Sequence, residues 1–88
     1  MKVNIVNTEL EKKIIEFVTI IAGSNLRKPV TLETEIFESK LVDSFGLLQL
    51  IADIEHEFNV NVSTEDMIME NFSTISGIAD LIKRYQLK

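Results

Sequence analysis

Asp43, Ser44 and Phe45 stand together in the stretch LVDSFGLLQLIADIEHEF, residues 41–58. The chemistry of this stretch centres on Ser44. A serine hydroxyl acts as a nucleophile when a general base lies within about 3 Å. The chain's single histidine, His56, comes 12 residues later on the same predicted helix. At about 1.5 Å rise per residue that is roughly 18 Å away. His56 therefore does not activate Ser44 within one chain, and neither a serine hydrolase nor another histidine-based acid–base enzyme is predicted. The bland alternative is a helix cap, since Ser and Asp are both preferred at that position. Phe45, a large apolar residue directly after the pair, is not explained by a cap.

Other chemistries lack their residues. Cysteine is absent, which excludes disulfides and thiol chemistry, and with one histidine it excludes a structural zinc site. The stretch lacks the alternating ligands of a calcium loop. Gly23, Gly46 and Gly77 are too scattered to cradle a phosphate. Glu9, Glu11, Glu33, Glu35, Asp53, Glu55, Glu57, Glu65 and Asp66 read as solvated faces and caps. Met67 and Met69 read as fillers of core gaps. No catalytic residue and no metal site is predicted.

A chain of 88 residues, 45% of them hydrophobic, fits a single domain over 1–88. At this size about 60–65% of the unfolded surface is buried. The net charge of −5 repels nucleic acid and anionic membranes and suits basic patches on partner proteins. No apolar run reaches the roughly 18 residues of a membrane span. Asn4, Asn7 and Glu9 interrupt the start MKVNIVNTEL, so no signal-peptide core is predicted. The expectation is a cytoplasmic monomer.

The elements that must position Ser44 follow from apolar spacing. A first helix starts near Thr8, where TELE fits a capping box with Glu11. Leu10, Ile14, Phe17, Val18 and Ile21 follow at helical spacing, and Gly23 is a C-terminal stop. Residues 24–42 then form a long loop around Pro29. Val30, Leu32, Ile36, Phe37 and Leu41 pin it to the core, with a short helical turn at 33–38. The second helix covers 44–58. Val60 and Val62 plug the core from a loop. STED suggests a cap at Ser63 for a short third helix, and Ser73 caps a last helix with Ile75, Ile78, Ala79, Ile82 and Tyr85 on one face. The fold class is all-α: a four-helix bundle, three helices long and one short, with a long loop between the first two. Its core is expected to include Leu10, Ile14, Phe17, Ile21, Leu47, Ile51, Ile54, Phe58, Ile75, Ile78 and Ile82.

At about 100° per residue, with Ser44 at zero, Leu47, Leu50, Ile51, Ile54 and Phe58 fall between roughly 240° and 340°. That is the core stripe of the second helix. Phe45, Leu48 and Ala52 form a second apolar strip off it, between about 40° and 100°. Asp43, Gln49 and Asp53 supply its polar rim, and His56 flanks it. Either another element covers this strip, or partners dock on it.

An Asp-Ser at a helix start, a large apolar residue next, a long loop before and an acidic surface together resemble the acyl carrier protein family. IFESKLVDSFGLLQLIADIEHEF carries the likeness most specifically, NFSTISGIADLI looks like the last-helix entry of carrier domains, and the resemblance spans residues 10–85. It implies four helices with a long first loop. It also implies that Ser44 bears 4′-phosphopantetheine, transferred from coenzyme A by a separate phosphopantetheinyl transferase. The thiol of the arm then holds an acyl or aminoacyl group as a thioester. The partners implied are that transferase, a loading enzyme and downstream acyl-processing enzymes.

The usual fatty-acid-synthesis type has a small pair before Asp-Ser and more acidic residues along the helix. Here Leu41 and Val42 precede it, Gly46 and Gln49 are neutral, and His56 separates Glu55 from Glu57. The segment between Val62 and Ser73 is slightly longer. These features look closer to D-alanyl carriers of teichoic acid modification and to stand-alone carriers of peptide and polyketide assembly. The alternative from a different class is an unmodified helical adaptor that docks partners through Phe45, Leu48 and Ala52.

Overall fold

The computed structural model describes residues 9–87. Helix α1 covers Glu9–Ala22. Glu9 and Glu11 lie in its first turn, where a carboxylate favours the positive end of the helix. The expected Thr8 cap lies outside the described residues. Ile14, Val18 and Ala22 are buried, while Leu10, Phe17 and Ile21 pack half-buried at the flanks. The helix stops where Gly23 turns to φ +52, a left-handed conformation that glycine adopts without a Cβ clash. A 3-10 turn, Gly23–Asn25, follows.

The segment between this turn and the second helix is irregular but anchored. Val30, Ile36, Leu41 and Val42 are buried, and Leu32 and Phe37 pack against the core. The helical turn expected at 33–38 lies further along. The Ser39 N–H donates to the Glu35 carbonyl (3.0 Å), Lys40 to that of Phe37 (3.0 Å), and both Leu41 and Val42 to that of Ile36 (3.0 Å). This tight reversal places Lys40 at φ +63, which costs a residue with a Cβ about 1–2 kcal/mol. Ile36 donates to the Ser73 carbonyl (2.9 Å) and Ser76 to that of Leu32 (3.0 Å). An isolated antiparallel bridge joins Glu35 and Thr74.

Helix α2 covers Ser44–Phe58 and ends at Asn59, which takes the left-handed cap at φ 55. Helix α3 covers Ile75–Gln86. The described residues thus fold into three α-helices with no strand element. Where a short helix was expected after Ser63 there are two 3-10 turns, Thr64–Asp66 and Met69–Phe72. Ser63 makes no cap bond to the turn; its hydroxyl donates to Asp66 Oδ2 at 3.2 Å. The Tyr85 hydroxyl donates to the same carboxylate at 2.6 Å and accepts from the Ser63 N–H at 2.8 Å. These bonds tie the first turn to the end of α3.

The cap of α3 also differs from expectation. Thr74, not Ser73, accepts from the Gly77 N–H at 3.0 Å. A cap needs extended backbone. Thr74 has it (φ −133, ψ 161), whereas Ser73 still has helical angles (φ −74, ψ −29). The Ser73 hydroxyl instead donates to the Glu70 carbonyl at 3.2 Å.

Ile14, Val18, Ile36, Leu50, Ile54, Phe72, Ile75, Ile78, Leu81 and Ile82 are the largest fully buried side chains, and no polar or charged described residue is buried. Phe58 is half-buried against this core. Phe72 has no exposed surface, although the surrounding polar NFST reads as a break. Its 3-10 turn carries no helical periodicity to reveal a buried side in the sequence. Ile54→Ala should cost about 2–5 kcal/mol and Phe72→Ala about 3–5 kcal/mol in a denaturant melt. A loss below about 0.5 kcal/mol for Ile54 would mean that the phase of α2 is misassigned.

Candidate functional site

Asp43 and Ser44 divide the two roles that sequence left open between them. Asp43 has extended backbone (φ −102, ψ −172) and is the N-cap of α2. Its Oδ1 accepts from the Gly46 N–H at 2.7 Å, and its carbonyl accepts from the Leu47 N–H at 2.8 Å. Ser44 is the first helical residue, is exposed, and makes no hydrogen bond through its hydroxyl among the described residues. The helix start is therefore fixed by its neighbour, and the serine oxygen is free.

Gly46 sets the depth of this helix start. A Cβ there would stand 3.1 Å from side-chain carbons of both Ile21 and Val42. A side chain there requires Ile21 and Val42 to give way by a few tenths of an ångström. On the core side Leu47, Leu50, Ile51 and Ile54 are buried. On the other side Phe45 is 80% exposed and Leu48 64% exposed, and Ala52 is exposed with them. No other described element covers the strip. Gln49 is exposed beside it and donates through Nε2 to Asp53 Oδ1 at 3.0 Å, and Asp53 is half-buried. Asp43 is exposed at the helix start.

A cleft of about 640 Å³ opens beside this face, between the end of α1, the loop before α2 and the first turns of α2. Ile20, which is 70% exposed, and Lys40 stand on its walls. Sequence reasoning missed both. The signal for Ile20 was an apolar residue outside the core stripe of its helix; Lys40 gave none.

Among the described residues no base is hydrogen-bonded to the Ser44 hydroxyl, and the neighbouring Asp43 carboxylate accepts from the Gly46 N–H instead. His56 is exposed in the last turn of α2, and no cluster of three or more possible metal ligands occurs among the described residues. One carboxylate of the loop before α2 is shifted. A hydrogen bond from the Glu38 carboxyl, reinforced by its charge and a little burial, holds Glu35 above its ordinary range. That pair belongs to the loop's contact with Thr74, not to the site.

Residues 16–82 match the protein family described as "Phosphopantetheine attachment site". The chain belongs to this family of carrier proteins. It is 32% identical over 76 residues to an acyl carrier protein of Buchnera aphidicola, covering 86% of this chain and 94% of that one. An acyl carrier protein of Lactococcus lactis is 44% identical over 57 residues, covering 65% and 67%. A D-alanyl carrier protein of Streptococcus suis is 29% identical over 55 residues, covering 58% and 70%.

The cofactor of this carrier is covalent 4′-phosphopantetheine. The residues present fit it. The attachment needs an accessible hydroxyl on ordered backbone, and a phosphodiester is favoured at a helix N-terminus. Ser44 meets both conditions. Of the other serines, Ser39, Ser63 and Ser73 have engaged hydroxyls, Ser76 is half-buried in a helix turn, and Ser24 sits in a 3-10 turn at the end of α1.

The division of roles is testable by stability alone. Asp43→Ala should cost about 0.5–2 kcal/mol, the usual loss of a cap. Ser44→Ala should stay within about 0.5 kcal/mol of the parent. Equal losses in a thermal or urea melt would return the cap to Ser44.

Proposed function

We propose that Ser44 bears the phosphopantetheine arm and that the protein carries acyl or aminoacyl groups as thioesters between partner enzymes. One observation carries the assignment: a free, exposed hydroxyl at the first position of a helix whose cap is made by the residue before it. In loading, the serine oxygen bonds to the phosphorus of the pantetheine-phosphate half of coenzyme A. The pyrophosphate bond breaks, adenosine 3′,5′-bisphosphate leaves, and a separate transferase removes the hydroxyl proton. The carrier supplies presentation and the transferase supplies the base. The bound arm supplies a thiol that forms the thioester. Tethering raises the effective concentration of the cargo at each enzyme visited.

Phe45, Leu48 and Ala52 form the docking strip, with Asp43, Gln49 and Asp53 as its polar rim. Their exposure near the serine supports this reading. Partners are the transferase, an acyl- or aminoacyl-loading enzyme and acyl-processing enzymes downstream. The protein acts as a cytoplasmic monomer and is not itself a catalyst. The 3-10 segment over residues 64–72 takes the place of the short member of a four-helix bundle. D-alanine is the second cargo reading. The neutral Gly46 and Gln49 beside the serine favour it, as does the similarity to a D-alanyl carrier.

Incubation with coenzyme A, magnesium and a permissive transferase should add the mass of one phosphopantetheine to the parent and none to Ser44→Ala. A mass gain on the Ala variant sinks the assignment. No gain on the parent leaves the unmodified adaptor as the reading. Leu48→Asp should slow loading by about tenfold or more, a loss typical of a docking anchor, with its melting temperature nearly unchanged. Raising salt from about 0.05 to 0.5 M should slow loading only modestly, because apolar contact outweighs screened charge. An unfolded Leu48→Asp would place the strip in the core.

A further inference from the structure

The loop before α2 carries a second concavity, of about 300 Å³, whose walls include Arg27, Lys28, Thr31, Thr34 and Ser39. That volume stands at the lower end of small-molecule sites, about 300–1,000 Å³. Two cations line it and no carboxylate does among the described residues, in a chain whose net charge is −5. The side chains of Arg27 and Lys28 are exposed and make no ion pair or hydrogen bond among the described residues. Glu33, Glu35 and Glu38 line a neighbouring cleft that shares Lys28, and none of them pairs with it.

The two threonines add a donor. Thr34 Oγ1 accepts from the Thr31 N–H at 2.8 Å, and the two hydroxyl oxygens lie 3.2 Å apart. Whichever hydroxyl donates to the other, one of the pair keeps its proton for a ligand. The Ser39 hydroxyl is already committed, since it donates to the Glu35 carbonyl at 2.7 Å. A guanidinium, an ammonium and a free hydroxyl proton form a donor set for a phosphate. Asn25 and Leu41 line both this pocket and the cleft beside the start of α2, so the two adjoin.

We propose that this pocket receives the 3′-phosphate of coenzyme A while the arm is transferred, a proposal that rests on Ser44 being the attachment residue. Loading brings a polyanionic cosubstrate to an acidic carrier, and their charges repel. The 3′-phosphate lies outside the pyrophosphate that is broken and departs with adenosine 3′,5′-bisphosphate. Arg27 and Lys28 thus offset the repulsion on the leaving half of the cosubstrate, next to the serine that attacks it. They retain nothing of the finished arm, because the phosphate they bind leaves with the product.

The test measures loading at varied coenzyme A and at varied 3′-dephospho-coenzyme A, with the product read by intact mass. In the double variant Arg27→Gln, Lys28→Gln the preference for coenzyme A in kcat/KM should fall by about tenfold, the size of a charge-assisted contact in solvent. The fall should come through a higher KM for coenzyme A, with the dephospho substrate unaffected. An equal loss with both substrates would place the cations in docking of the transferase and overturn the proposal, as would an unchanged preference. A second measurement uses the unloaded parent alone. Adenosine 3′,5′-bisphosphate should shift the amide signals of Arg27, Lys28, Thr31 and Thr34, and adenosine 5′-phosphate should shift them much less. Equal shifts with inorganic phosphate would make this a site for the free anion and overturn the assignment to the cosubstrate. In each of these cases the parent still loads and the Ser44 assignment stands; a parent that gains no mass from coenzyme A overturns both.

Discussion

The 2.7 Å hydrogen bond from the Gly46 N–H to Asp43 Oδ1 governs how the rest of this protein is used. The first N–H groups of a helix have no partner within it. If Ser44 satisfied one of them, its oxygen would be turned inward and occupied. Because Asp43 accepts the bond, the helix starts at a defined residue and the adjacent hydroxyl stays free. The carboxylate also places negative charge at the positive end of the helix, which stabilises the start further. Gly46 serves twice, as donor to the cap and as the point where α2 closes on Ile21 and Val42.

The long loop completes this positioning. Ile36 sits buried and accepts from two successive N–H groups, Leu41 and Val42, while its own N–H reaches Ser73. The chain is thereby drawn between α3 and the beginning of α2. Val42 is buried directly before the capping aspartate. The reversal that achieves this costs strain at Lys40. A packed core on one side and an exposed apolar face on the other suit the proposed docking of partner enzymes on α2.

The helices were legible because their apolar residues repeat at helical spacing. The phase of α2 was the most informative, since it separated Leu50, Ile51 and Ile54, which are buried, from Phe45 and Leu48, which are exposed. The aspartate-serine pair marked the place but did not divide cap from site, because both residue types cap helices equally well. The same ambiguity put the cap of α3 at Ser73 instead of Thr74. The segment after Ser63 was harder to read. Its turns are only three and four residues long, too short for periodicity, and what fixes them is distant in sequence: the Tyr85 hydroxyl and the burial of Phe72. Leu81 was missed for a related reason, since α3 is buried over a wider arc than one stripe.

The central claim is that the free hydroxyl beside the capping aspartate is the one that takes the arm. Fragment-ion mapping of the protein after loading from coenzyme A tests it most directly. The account predicts that the added phosphopantetheine is carried by Ser44 alone. An adduct on Ser24, Ser39, Ser63, Ser73 or Ser76 would contradict it.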